Sequence, residues 1–165
     1  MIRDGRETTM SKTTRHIFAA VVLLAAFAAS GEAPYAFRGR LAAVHRADRR
    51  DMSLKAGADE FEFKNGAQLF VPADAPDLVR RAADDFADYL VVSMSVNASV
   101  RAEGAEQRPG LQPGVTVAIC DLGRSGYDID VGAGGVKVAA SDAWMAAQAF
   151  YHLEDAMNLR RGPFL

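Results

Sequence analysis

The stretch YDIDVGAGGVKVAASDAWMAAQAFYHLEDAMNL, residues 127–159, decides the fold. YDIDV and VKVAA alternate apolar and polar residues on either side of GAGG, which predicts a two-strand hairpin. Ser141 or Asp142 then caps a helix predicted over about 142–158, because apolar residues recur there at three- and four-residue steps. The face of this helix expected to be buried consists of Ala146, Ala149, Phe150, Leu153 and Met157.

A second amphipathic helix is predicted upstream, over about 76–92. Pro76 suits its first turn, since the missing proline N–H would have no partner there. FEFKNGAQLFVP, residues 61–72, predicts a hairpin that turns at Asn65-Gly66. Further strands are predicted within 92–102 and 115–122, where apolar residues alternate. The apolar stripe of this helix is Leu78, Val79, Ala82, Ala83, Phe86 and Leu90.

The order of strands, helix, strands, hairpin and helix predicts an α+β fold. We expect a small mixed β-sheet with two helices packed on one face, the other face being partly free or covered by a neighbour. The formal net charge of -2 argues against nucleic acid as a main partner.

The N-terminal 36 residues have the order of a secretory signal peptide. Lys12 and Arg15 precede an apolar run over 17–29, and small residues suited to cleavage follow between 30 and 36. Residues 1–9 precede Met10 and are interpreted as an over-called start. The apolar run is short for a membrane span, so no stable span is expected after cleavage. Residues 37–60 are predicted to be a linker or irregular segment. Its arginines are interpreted either as part of a solvated linker or short helix, or as a patch for an anionic surface or sugar acid.

No residue of this chain is predicted to be catalytic, to bind a cofactor or to ligate a metal. GAGG is followed by a strand, whereas a phosphate-binding glycine loop opens a helix. His152, Glu154 and Asp155, with Gln148 one turn earlier, come nearest to a metal site, but three ligands on converging elements are needed. His45 lies in the weakly patterned segment. The carboxylate pairs Asp84-Asp85, Asp128/Asp130 and Glu154-Asp155 are predicted on outward faces, and Cys120 is predicted to be a buried, inert thiol.

Residues 127–165 resemble the end of the zincin-like α+β accessory domain that precedes the catalytic barrel in β-N-acetylhexosaminidases, α-glucuronidases and related bacterial exo-glycosidases. In that family a Y-x-I/L-x-V strand turns through glycine into a G-V-x-V/I-x-A strand, and a helix then reaches an apolar Y-x-L segment. The upstream elements, from about Phe61, fit the same order. The corresponding residues here are Tyr127, Ile129, Val131, Gly135, Val136, Val138, Ala140, Tyr151 and Leu153.

The resemblance implies that residues 61–165 are a non-catalytic domain of a secreted or periplasmic bacterial glycoside hydrolase. The catalytic carboxylates of these families lie in the (β/α)8 barrel, so no residue here inherits their role. GPFL, residues 162–165, would then lead into a barrel outside this chain, which would be a fragment or half of a split gene. Trp144, Tyr151, Phe164 and Leu165 would form an exposed apolar patch for that barrel. The alternative is a free-standing secreted glycan-binding or protein-interaction module.

Overall fold

A computed structural model describes residues 43–104 and 112–165, and Ala43–Leu165 form one compact unit. The predicted signal peptide therefore lies outside the described residues. None of the helices in the described part is both long enough and apolar enough to span a membrane. The elements, in chain order, are β1 (Ala67–Val71), α1 (Asp77–Met94), β2 (Ala98–Ala102), β3 (Gln112–Ile119), β4 (Tyr127–Gly132), β5 (Gly135–Ala140) and α2 (Ala143–Arg160).

The five strands form one mixed sheet in the order β2-β1-β3-β5-β4. All neighbours are parallel except β4, which runs antiparallel to β5 along one edge. The predicted α+β fold, with a small mixed sheet and two helices, is confirmed. Asn65-Gly66 does not close a hairpin, because β1 pairs in parallel with β2 and β3 instead of antiparallel with the segment before it.

The two helices lie side by side on one face of the sheet. α1 contacts β1 and β2, α2 contacts β3, β4 and β5, and the helices contact each other. Phe86 and Phe150 meet at this seam with ring centroids 5.4 Å apart. Both rings are buried in one core with Leu69, Val117 and Val138 from the strands. Burying these side chains supplies most of the driving force for folding.

The decisive hairpin and helix form as predicted. Gly132 and Gly135 are paired across a two-residue turn, and Gly135 has a φ of 113°, which glycine adopts without strain. GAGG is therefore a turn between antiparallel strands. The Asp142 carboxylate caps α2 by accepting the Met145 N–H at 2.9 Å, and this bond lowers the Asp142 pKa.

Several boundaries and exposures differ from the sequence predictions. α1 continues to Met94, where a strand was expected to have begun, and ends at Ser95 in the left-handed conformation. Leu78 belongs to the predicted apolar stripe but is 40% exposed, and Val131, an apolar residue of the alternating YDIDV strand, is 38% exposed. Leu78 lies on the first turn of α1, and Val131 lies on the edge strand β4, where few neighbours cover a side chain.

The C-terminal GPFL segment folds back onto the domain. Phe61 and Leu165 exchange two backbone hydrogen bonds of 3.0 Å each, and the Phe63 N–H donates to the Pro163 carbonyl at 2.8 Å. Phe164 is only 2% exposed, so its predicted place in an exposed patch is wrong. Gly162 is required here, since a Cβ at that position would lie 2.3 Å from the Phe164 ring.

Candidate functional site

The three residues of α2 that came nearest to a metal site in the sequence do not form one site. His152 Nδ1 lies 3.3 Å from the Tyr127 hydroxyl, beside β4. Asp155 is exposed, whereas Glu154 is partly buried. Side chains two residues apart are rotated by about 200° around a helix axis, so His152 and Glu154 lie on opposite sides of α2.

The fold instead brings Glu154 together with His45 and Asp85. One ligand atom from each of these side chains lies within 4.8 Å of the other two. His45 Nε2 is 3.0 Å from Asp85 Oδ1, and the His45 side chain is only 8% exposed. We call these three residues the seam cluster, because they lie where α1 and α2 meet. Asp85 was predicted to lie on an outward face, so its inclusion corrects that prediction.

His45 contacts the helices because hydrogen bonds hold residues 43–54 against α1 and the end of α2. The Arg46 N–H donates to Ser93 Oγ at 3.3 Å, and the Arg50 guanidinium donates to the Met94 carbonyl at 2.6 Å. The Asp51 N–H donates to the Arg161 carbonyl at 2.8 Å. This segment, which we call the strap, contains no helix or strand but makes contacts with both helices.

Two of the three arginines of the strap make contacts within the protein, whereas Arg49 is exposed. Arg46 forms an ion pair with Asp48, and Arg50 is directed to the end of α1. Arg38 and Arg40 lie outside the described residues. Arg46 and Arg50 therefore have a structural role here, and the proposed patch for an anionic surface or sugar acid stays a prediction.

Among the carboxyl groups of the described residues, Glu154 has the most strongly shifted pKa. Its Oε1 is buried and has no hydrogen-bond partner among them. Burial, followed by the nearby Asp85 and Asp155 carboxylates, raises the Glu154 pKa to about 8. A buried carboxyl group without a partner is costly in its charged form, so the folded protein favours protonated Glu154 at neutral pH.

Aromatic and amide groups frame the seam cluster. The Tyr89 hydroxyl lies 3.1 Å from both the Glu154 carbonyl oxygen and Asn158 Oδ1. Its pKa is raised well above the ordinary value, first by burial and then by the Glu154 charge. The His45 ring packs edge-on against Tyr89, with centroids 5.6 Å apart. These contacts hold the imidazole against the two helices.

The remaining candidates stay on the surface. Asp128 forms an ion pair with Arg124, and Asp130 is exposed on β4. Cys120 is exposed just after β3, not buried as predicted. The described part of the chain has surface grooves of about 310–580 Å³, and Phe61 and Phe63 are among the residues that line them.

No family model matches this sequence, and no curated protein is significantly similar to it. Functional inference therefore depends on the residues and their geometry.

Proposed function

We propose that residues 61–165 are a non-catalytic accessory domain of a secreted or periplasmic glycoside hydrolase that acts in carbohydrate degradation. The parent enzyme would be of the α-glucuronidase or β-N-acetylhexosaminidase type, with its chemistry in a (β/α)8 barrel. The observation that carries this proposal is the β4–β5 hairpin followed by α2. These elements hold the Y-x-I-x-V, G-V-x-V-x-A and Y-x-L residues that resemble the segment before such a barrel.

The surroundings of the carboxylates support a non-catalytic role. Glycoside hydrolysis requires two carboxyl groups that face each other across a sugar pocket. Asp85 and Glu154 do approach each other, but His45 Nε2 lies 3.0 Å from Asp85 Oδ1, and Glu154 Oε1 is buried. Asp128 and Asp130 lie exposed on the edge strand β4. Neither the Asp85–Glu154 pair nor Asp128 with Asp130 thus has the arrangement of a catalytic pair.

Exposed apolar side chains on α2 support docking against a partner domain. Trp144 is 59% exposed and Tyr151 is 44% exposed. They are seven residues apart, so they share one side of the helix. Large exposed aromatics in proximity are typical of interaction surfaces. We assign this surface to contact with the catalytic barrel.

A free-standing glycan-binding module is the second candidate, and the same exposed Trp144 favours it. Sugar rings stack on exposed aromatic side chains, and such a module would need no catalytic pair. The two candidates differ in what Trp144→Ala would disturb: association with a barrel, or retention on an immobilised glycan.

The proposal is tested by assaying two purified samples side by side. The first is this chain alone, and the second is this chain joined to, or mixed with, the product of the DNA directly downstream. We expect no turnover of aryl N-acetylglucosaminides, glucuronides or xylosides by the chain alone, and turnover by the second sample. Turnover that copurifies with the chain alone, or a downstream sequence that encodes no barrel, would contradict the proposal.

A further inference from the structure

We propose that His45, Asp85 and Glu154 bind a divalent transition-metal ion, with Zn²⁺ the best fit, and that this ion fastens the strap to both helices. The inference does not depend on the glycosidase proposal. Each ligand comes from a different segment: the strap, α1 and α2. An ion held by all three would therefore link parts of the chain that are far apart in sequence.

The spacing of the ligand atoms is close to that of a metal site. Zn²⁺ binds imidazole nitrogen and carboxylate oxygen at about 2.0–2.2 Å, so neighbouring ligands at tetrahedral angles lie about 3.3–3.6 Å apart. His45 Nε2 and Asp85 Oδ1 are 3.0 Å apart, and no pair in the cluster exceeds 4.8 Å. A side-chain movement of about 1 Å by Glu154 would complete the arrangement.

The unpartnered oxygen of Glu154 is an independent observation that points to a ligand. Buried carboxylate oxygens are almost always hydrogen-bonded or bound to a cation. Glu154 Oε1 is buried beside Asp85, and the described residues offer it no donor. Among the strap arginines, Arg46 is directed to Asp48 and Arg50 to the Met94 carbonyl. Arg49, whose charge acts on Tyr89, donates no hydrogen bond to Glu154 Oε1. A divalent cation would balance the two carboxylates and occupy the free lone pairs.

The ligand atoms, one imidazole nitrogen and two carboxylate oxygens, indicate which metal ion would bind. Mg²⁺ and Ca²⁺ prefer sites made only of oxygen ligands. One imidazole with two carboxylates suits Zn²⁺, and neighbouring first-row metals such as Mn²⁺ less strongly. The packing of the His45 ring against Tyr89 restricts the imidazole before any metal binds. Because the His45 side chain and Glu154 Oε1 have little solvent access, we assign the ion a structural role.

The test uses the purified full chain, freed of affinity tags and treated with chelator. Zn²⁺, Mn²⁺ and Mg²⁺ are then added separately, and thermal unfolding and bound metal per chain are measured. We expect one Zn²⁺ per chain and a rise of about 10 °C in Tm when free Zn²⁺ is about 100 times its Kd. Mg²⁺ should have no effect at the same concentration.

Matched variants locate the site. Glu154→Gln preserves the shape of the side chain and should abolish the Zn²⁺-dependent rise in Tm, as should His45→Gln. His152→Gln and Asp155→Asn alter neighbouring residues on α2 outside the cluster and should retain the rise. The proposal is overturned if the unaltered chain gains no stability from millimolar Zn²⁺ or Mn²⁺. It is also overturned if Glu154→Gln keeps the rise, or if the two control variants lose it.

Discussion

Replacing Glu154 by glutamine should stabilise the metal-free protein, and should do so only at neutral and alkaline pH. The folded pKa of Glu154 is about 8, against an ordinary value of 4.5, because burial and two neighbouring carboxylates disfavour its charge. Between these two values the folded state binds more protons at this site than the unfolded state. Stability of the unaltered protein therefore falls as pH rises from about 4.5 to about 8, and this contribution is constant outside that window.

The size of the effect follows from the width of the window. Each pH unit corresponds to about 1.4 kcal/mol, which sets an upper bound of about 5 kcal/mol. Glu154 is only partly buried, and solvent screens its neighbours, so we expect about 2–3 kcal/mol at pH 8. At pH 5 the folded glutamic acid is already neutral, and the variant should differ little from the unaltered protein.

Urea denaturation followed by circular dichroism, with chelator present throughout, measures this difference at several pH values. All other titrating groups are common to both proteins, so their contributions to the difference in unfolding free energy largely cancel. Asp130→Asn is the control, because Asp130 is exposed on β4 and is not among the carboxylates that raise the Glu154 pKa. Its stability difference should vary much less with pH. The reasoning fails if Glu154→Gln is no more stable than the unaltered chain at pH 8, or if the gain is equal at pH 5.

Two further predictions concern packing. Phe150→Ala should destabilise the domain by about 3–5 kcal/mol in the same assay, because the ring is buried against Phe86. Tyr151→Ala, at an exposed neighbouring position, should destabilise it by less than about 1 kcal/mol. If the two variants lost similar stability, Phe150 would not be a core residue. Phe164→Ala should destabilise the domain by about 3 kcal/mol, since the ring is buried in the paired C-terminal segment. Leu159→Ala, at an exposed position, is its control. An unchanged urea midpoint for Phe164→Ala would show that the C-terminal segment does not pack as described.

Local patterns predicted the elements whose pairing is also local. The β4–β5 hairpin and both helices follow from alternation, helical spacing and the Asp142 cap, all of which act within a few residues. The hairpin predicted at Asn65-Gly66 was wrong because a turn dipeptide specifies a bend but does not specify which strand the next strand pairs with. β1 pairs with strands that lie 30 or more residues later, and no pattern within residues 61–72 encodes them.

The seam cluster was missed for a similar reason. His45 lies in a segment without periodicity, and nothing in the sequence connects it to residues 85 and 154. One signal was present: Glu154 lies four residues after Phe150 and one after Leu153, so it lies beside the buried stripe of α2. A carboxylate at that position has either a partner or a perturbed pKa, which is what the structure shows.

The bridge between Glu62 and Phe164 also has a consequence for the order of folding. It closes a loop of about 100 residues, and the entropy lost in closing a loop grows with its length. Chain synthesis runs from the N-terminus, so residues 61–63 must wait for residues 163–165 before their backbone groups find these partners. Until then this part of a nascent chain offers unpaired donors and acceptors next to Phe61 and Phe63, which are the features that chaperones recognise.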